Sequence, residues 1–296
     1  MKCVIMSDST CDFSAPQARM EDVRIVPFHY GDATGRLAGD DDLFVSVNAH
    51  DFYDLVRSGA ELFTSQPSQL EFEDAFTQVL DDGDEAVLFC ISSGISGGYE
   101  GALMALARVE QERPEATGRI HVVNTYLAST PMHLLVHEAC RRRDVGCSAE
   151  EVAEWAKEAR WSIQTLFMVD DLTALHRGGR IPKTVAVAGD KLNVKPLLTF
   201  SLTGELGIAG VARGRKKGLA RLADYFKRSH AEGEGGLVVA IGDADARTDA
   251  ECLADRIREQ FSGVRTLRST IGPTIGCHVG PGMISCCFWG EDRRRS

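Results

Sequence analysis

Short apolar runs alternate with longer amphipathic ones through the first half of the chain. Lys2 to Met6 and Val23 to His29 predict strands, as do Ala86 to Ser92 and Ile120 to Asn124. Helical spacing covers Asp51 to Arg57, and Gln69 to Leu80 with Phe72, Ala75, Phe76, Val79 and Leu80 on one face. A further helix falls between the strands at 86–92 and 120–124, and another runs from Thr130 to Arg143. Gly31 to Asp42 has no apolar period and predicts a loop or a small hairpin. Strand, helix, strand, helix is the rhythm of a parallel sheet flanked by helices.

The rhythm changes after residue 148. Ser148-Ala149-Glu150-Glu151 is a capping box opening a helix. Ile163 to Val169 predicts a strand, and Val194 to Phe200 and Ile208 to Ala212 predict two more around the turn at Ser201 to Glu205. A helix over 218–228, a strand over 236–242, a helix over 250–261 and strands over 266–271 and 283–289 complete the chain. Hairpin and crossover connections are mixed, so a mixed sheet is expected. The fold class is α/β in two domains, residues 1–148 with a mostly parallel sheet and 149–296 with a mixed sheet.

Composition narrows the functional classes. The 296 residues carry a net charge of -10, which disfavours nucleic acid and anionic membrane as partners of the whole chain and leaves at most transient membrane contact. The first residues form too short an apolar run for a signal peptide, and no window approaches a membrane span, so a cytoplasmic protein with reduced thiols is expected. The nine cysteines show no C-x-x-C pairing.

Four polar or glycine-bearing turns stand beside predicted strands or helix starts: Ser7 to Thr10, Thr64 to Ser68, Ser92 to Gly98, and Ile275 to Gly282. Hydroxyls and free backbone N–H groups at such places favour an anion. His278 sits between the glycines of the last turn. Gly94-Ile95-Ser96-Gly97-Gly98 also matches G-x-S-x-G. With Asp170, Asp171 or Asp243 and then His278, it follows the residue order of α/β-hydrolases, but no HGGG-type segment precedes it. No metal motif is legible; His133, His137 and Glu138 lie on an amphipathic helix, where a structural role is the expectation. The P-loop and the dinucleotide glycine spacing are absent, and no cofactor is expected. Two compact basic stretches, Leu175 to Lys183 and Val211 to Lys217, stand out on an acidic chain and suit phosphate contact or an acidic partner.

Taken in order, these stretches resemble the DegV family of bacterial fatty-acid-binding proteins. The resemblance rests on Asp8 to Asp12, Thr64 to Ser68, Ile91 to Tyr99, Asp170 to Leu172 with Leu175 to Ile181, Leu192 to Leu198, Arg213 to Lys217 and Gly276 to Gly282. It implies a two-domain protein holding one long-chain fatty acid between its domains, the carboxylate at Thr64 and Ser96 with His278 close by. Ser65 and Gly97 are the accompanying candidates. It implies no catalysis by the carrier itself: a partner kinase supplies ATP and forms the acyl phosphate. Arg177, Arg180, Arg213 and Arg215 are the implied docking residues. Three stretches depart from the family pattern: Gly98 and Glu100 in the glycine-rich loop, the aspartate stretch (Asp171-Leu172-Thr173 or Asp170-Asp171-Leu172), and Asn124-Thr125 after the fourth strand. They bear on chain-length preference and partner fit. A serine hydrolase using Ser96 and His278, and a lipid sensor without a kinase, are the alternatives.

Overall fold

Residues 1–35, 37–182, 193–231 and 236–295 are described by the structure, a computed structural model. Lys183 and Leu192, named in the sequence motifs, lie outside the described residues.

The first sheet holds β1 (Cys3–Asp8), β2 (Val23–Val26), β6 (Glu85–Cys90) and β7 (Ile120–Asn124) in the order β2-β1-β6-β7, all parallel. Every residue of β1 is buried, as expected for a parallel strand covered on both faces. On one face lie α3 (Gln69–Asp81) and α4 (Gly98–Glu112), whose Phe72, Phe76, Val79, Ala102 and Ala105 join Val4, Met6 and Leu88 in one cluster. On the other face lie α5 (Thr130–Asp144) and α6 (Ala149–Ala159).

The second sheet holds β8 (Ile163–Met168), β9 (Val194–Phe200), β10 (Leu206–Arg213), β11 (Val238–Asp243), β12 (Arg265–Thr270) and β13 (Ile284–Trp289). Its order is β10-β9-β8-β13-β11-β12, antiparallel except for β11 with β12, so the mixed sheet is present. Helices α8 (Arg215–Ser229) and α9 (Arg247–Gln260) cover its outer face through Leu222, Phe226, Leu253 and Ile257. Its inner face meets α5, which touches β8, β11 and β13 as well as β1. That double contact explains why Thr130 to Val136 are buried without interruption: the helix is clamped between two sheets.

The boundary expected at residue 148 precedes α6, yet α6 packs on β1, β6 and β7 of the first sheet, while the first strand of the second sheet begins at Ile163. The small hairpin expected over Gly31 to Asp42 is present and belongs to a larger sheet. β3 (His29–Asp32), β4 (Ala38–Asp40) and β5 (Leu62–Ser65) form a small antiparallel sheet, with α2 (Ala49–Arg57) between β4 and β5. Three short helices carry no clear period: α1 (Ala15–Met20), α7 (Thr173–Arg177) and α10 (Pro273–Val279). No helix among the described residues is long and apolar enough to cross a membrane.

Candidate functional site

A cavity lies where the two sheets, α5, α7 and α10 converge. Its walls are largely apolar, with Phe28, Ile91, Phe167, Phe200, Leu206 and Met283 among them. Thr64, Ser96 and His278 all line it. Residues separated by 214 positions are thus brought into contact: Thr64 Oγ1 lies 2.8 Å from His278 Nε2.

Each of the three is placed by local structure. Alternation along β5 turns Thr64 to the cavity and Ser65 to solvent, so Ser65 does not line the cavity. Ser96 ends the loop after β6, where the N–H groups of Ile95 and Ser96 both donate to the Ser92 carbonyl at 3.1 Å. Ser96 Oγ accepts from the Gly98 N–H at 3.2 Å, which leaves its own proton for another acceptor. Gly97 is the N-cap of α4 and does not line the cavity; a Cβ there would meet Gln66 Oε1 at 2.7 Å. Gly98, one of the family departures, leaves space that a side chain would take from Phe28, whose Cζ would lie 3.3 Å from a Cβ.

His278 belongs to α10 and not to a turn. Gly280, with φ 71, then ends that helix. Burial, then Arg180 and Arg177, hold the His278 imidazole down to about 4, so it is neutral at pH 7. Gly178 packs on the ring: a Cβ there would lie 3.0 Å from Cε1 and closer still to Nδ1.

The helix that carries His278 is anchored by carboxylates that sequence reading did not assign to the site. Asp12, in the left-handed region at φ 52, accepts from Ser129 Oγ at the start of α5 and from the Gly272 N–H, 2.9 Å away, at the start of α10. Asp41 accepts from the Thr274 N–H at 3.0 Å. Asp8 accepts from the Thr10 N–H at 3.0 Å, Thr10 Oγ1 at 2.5 Å and the Ile91 N–H at 2.7 Å, fixing the root of the Ser96 loop. Burial raises all three, Asp8 and Asp41 to about 6. The signal available in the sequence was polar residues directly after a buried strand, as at Asp8 and Asp12.

The second sheet closes the cavity from the other side. Ser92 Oγ donates to the Gly204 carbonyl at 2.8 Å, and a Cβ on Gly94 would strike the Gly204 carbonyl carbon at 2.6 Å. The hairpin between β9 and β10 is therefore latched onto the glycine-rich loop. Asn124, another departure, holds the same loop by donating to Ser93 Oγ at 2.7 Å.

The basic residues divide into two kinds. Arg177 and Arg213 are exposed, Arg177 within 3.5 Å of Glu61. Arg180 instead lines the cavity and donates through Nε to the Ile95 carbonyl at 3.0 Å. Arg215 is drawn inward by Asp170 at 2.8 Å and Asp249 at 2.5 Å, so its charge is already matched within the chain.

The geometry also bears on nucleophilic catalysis. His278 Nε2 pairs with Thr64, and Ser96 Oγ with a backbone N–H. The aspartates in the right chain order are engaged elsewhere: Asp170 with Lys195 and Arg215, Asp171 with the Thr173 N–H, and Asp243 with Arg268 and the Ala246 N–H. No Ser-His-Asp relay is assembled among the described residues. Seven of the nine cysteines are buried; burial pushes Cys277, beside the head of the cavity, up to about 12. Its thiol is a poor nucleophile.

The family model described as "uncharacterised protein, DegV family" matches residues 2–291. The chain belongs to the DegV family. A DegV domain-containing protein of Clostridium perfringens is 32% identical over 293 residues, covering 99% of each chain. Among solved structures, a fatty-acid-binding DegV family protein from Thermus thermophilus is 27% identical with a TM-score of 0.83, covering 98% of this chain and 100% of that one. The fatty acid kinase B3 protein of Streptococcus pneumoniae, loaded with linoleic acid, shares the fold at a TM-score of 0.83 and 22% identity, covering 98% of this chain and 100% of that one. The α/β architecture of this DegV protein is thus that of its neighbours.

Proposed function

We propose that this DegV protein binds a long-chain fatty acid and presents it to a separate ATP-dependent kinase. The carboxylate is held at Thr64, Ser96 and His278, and the tail fills the apolar cavity. The observation that carries the reading is the pairing of Thr64 with His278, 2.8 Å apart, on the wall of that cavity beside Ser96. A buried carboxylate requires several donors, and two hydroxyls with a helix N-terminus meet that need. The tail requires only apolar surface, at about 0.8 kcal/mol per buried CH₂. The fatty-acid-binding relative from Thermus thermophilus supports the ligand class. The kinase-associated protein from Streptococcus pneumoniae, similar in fold, motivates the partner.

In the proposed reaction a carboxylate oxygen attacks the terminal phosphorus of ATP, ADP leaves, and an acyl phosphate forms. This chain positions the nucleophile and the kinase supplies the nucleotide site. Arg177 and Arg213 are the exposed cations for docking. Native mass spectrometry of the purified protein tests the ligand: a co-purifying fatty acid, or uptake of palmitate or oleate after delipidation, is expected. A clean apo mass with no uptake overturns the reading.

A further inference from the structure

We propose that the cavity is built for a fatty acid bearing a hydroxyl on its chain, recognised by Thr165 with Ser285 on the second sheet. This rests on the fatty-acid reading of the same cavity and specifies the class of acid. Antiparallel pairing sets Thr165 against Cys287 and Ser285 against Phe167. With a period of two, Thr165, Phe167 and Ser285 share one face of the sheet, and all three line the cavity. Thr165 is 2% exposed and Ser285 1%.

The hydrogen-bond account of this pair is incomplete. Ser285 Oγ donates to Thr130 Oγ1 at 2.7 Å and accepts from the Gly242 N–H at 3.0 Å, leaving one lone pair. Thr165 Oγ1 is buried with no oxygen or nitrogen partner among the described residues; the Cys287 thiol, directly across the strand pair, is in reach of both the Thr165 and the Ser285 hydroxyls and is a weak partner for either. A hydroxyl in an apolar wall loses its water partners on burial and needs a replacement. Valine would fill the same space without that need. Together the two side chains offer one donor held only by a weakly accepting thiol and unused lone pairs, the complement of a single ligand hydroxyl, which both accepts and donates.

The placement defines where on the ligand this hydroxyl sits. Thr64, Arg180 and His278 border both the deep cavity and an outer pocket next to it. Thr165 and Ser285 border only the deep one. The recognised group is therefore carried on the chain and is distinct from the carboxylate.

The test measures binding of stearic acid and of monohydroxystearic acids differing in hydroxyl position to the delipidated full chain, to Thr165→Val and to Thr165→Ser. At least one hydroxy isomer is expected to bind the wild type about tenfold tighter than stearic acid. Thr165→Val is expected to erase that preference while still binding stearic acid, and Thr165→Ser to keep it. Stearic acid binding as tightly as every isomer overturns the inference, as it would if a water completed Thr165. A preference that persists in Thr165→Val overturns it too. If neither acid class binds, the fatty-acid reading itself fails.

Discussion

Asp41 is a buried acid whose ionisation works against the fold, and Asp41→Asn measures by how much. The residue follows β4, is fully buried, and accepts from the Thr274 N–H in the first turn of α10. Burial lifts its carboxyl from 3.8 to about 6, against the opposing pull of Thr274. The folded chain therefore keeps a proton on Asp41 between those two values that the unfolded chain has lost. Stability falls as pH rises through that window, and at pH 7 the full cost is on the order of 3 kcal/mol. Asn keeps an acceptor for Thr274 and has no charge to bury. Asp12 and Asp8 are raised in part by the charge on Asp41, so the substitution eases them as well. His133 and His278, held down to about 3 and about 4, act with the opposite sign, losing stability as pH falls below 6.5. They are common to both proteins and cancel in the difference. Urea unfolding from about pH 4 to about pH 7 should show the stability of Asp41→Asn relative to wild type growing by a few kcal/mol. A difference constant to within about 0.5 kcal/mol across that range would refute the reasoning; a constant offset alone would not, since the slope carries the ionisation.

Two further outcomes are expected. Gly178→Ala keeps a backbone conformation that alanine adopts without strain, φ -71, but drives a methyl into the His278 ring; fatty acid affinity should fall at least about tenfold with little change in melting temperature, and unchanged affinity would show that the ring position is immaterial. Arg213→Glu should spare lipid binding and lower kinase-dependent acyl phosphate formation, because its side chain is exposed and borders neither the cavity nor the outer pocket; unchanged turnover with the partner kinase would remove it from the docking surface.

What the sequence made legible follows from how local each signal is. Buried parallel strands such as Cys3–Asp8 and Glu85–Cys90 are nearly continuous apolar runs and declare themselves. The small sheet is less evident: His29–Asp32 and Ala38–Asp40 have no fully buried positions, and the central strand His29–Asp32 pairs on its other side with Leu62–Ser65, thirty or more positions away. Helix α10 reads as a glycine- and proline-bearing turn because its seven residues are held by Asp12 and Asp41 at its start, a tertiary effect without local periodicity. Thr64, Ser96 and His278 stand in polar or glycine-bearing turns, and the family resemblance singles them out; the structure brings all three to one cavity. Ser65 and Gly97 follow Thr64 and Ser96 directly in the chain, but strand alternation turns Ser65 outward and Gly97 caps a helix, so neither lines the cavity. Arg215 was grouped by charge, but its partners Asp170 and Asp249 lie 45 and 34 positions away, beyond any local pattern.

If the head of the cavity holds a carboxylate, as proposed, a neutral histidine suits it. A carboxylate only accepts hydrogen bonds, so it can use Thr64 only if the threonine proton points toward it. The proton shared over the 2.8 Å between Thr64 Oγ1 and His278 Nε2 must then come from the imidazole. That requires the tautomer protonated on Nε2 and bare on Nδ1, the nitrogen packed against Gly178. Burial, together with Arg177 and Arg180, prevents a second proton from joining the ring near neutral pH, so those arginines act on His278 as well as on an incoming anion. The chain from Nε2 through Thr64 to the ligand is thus directional, and it depends on position 178 having no side chain. On the proposed reading, the donor presented at the head of the cavity and the closeness of Gly178 to the ring are one arrangement: displacing the imidazole removes the donor that orients Thr64.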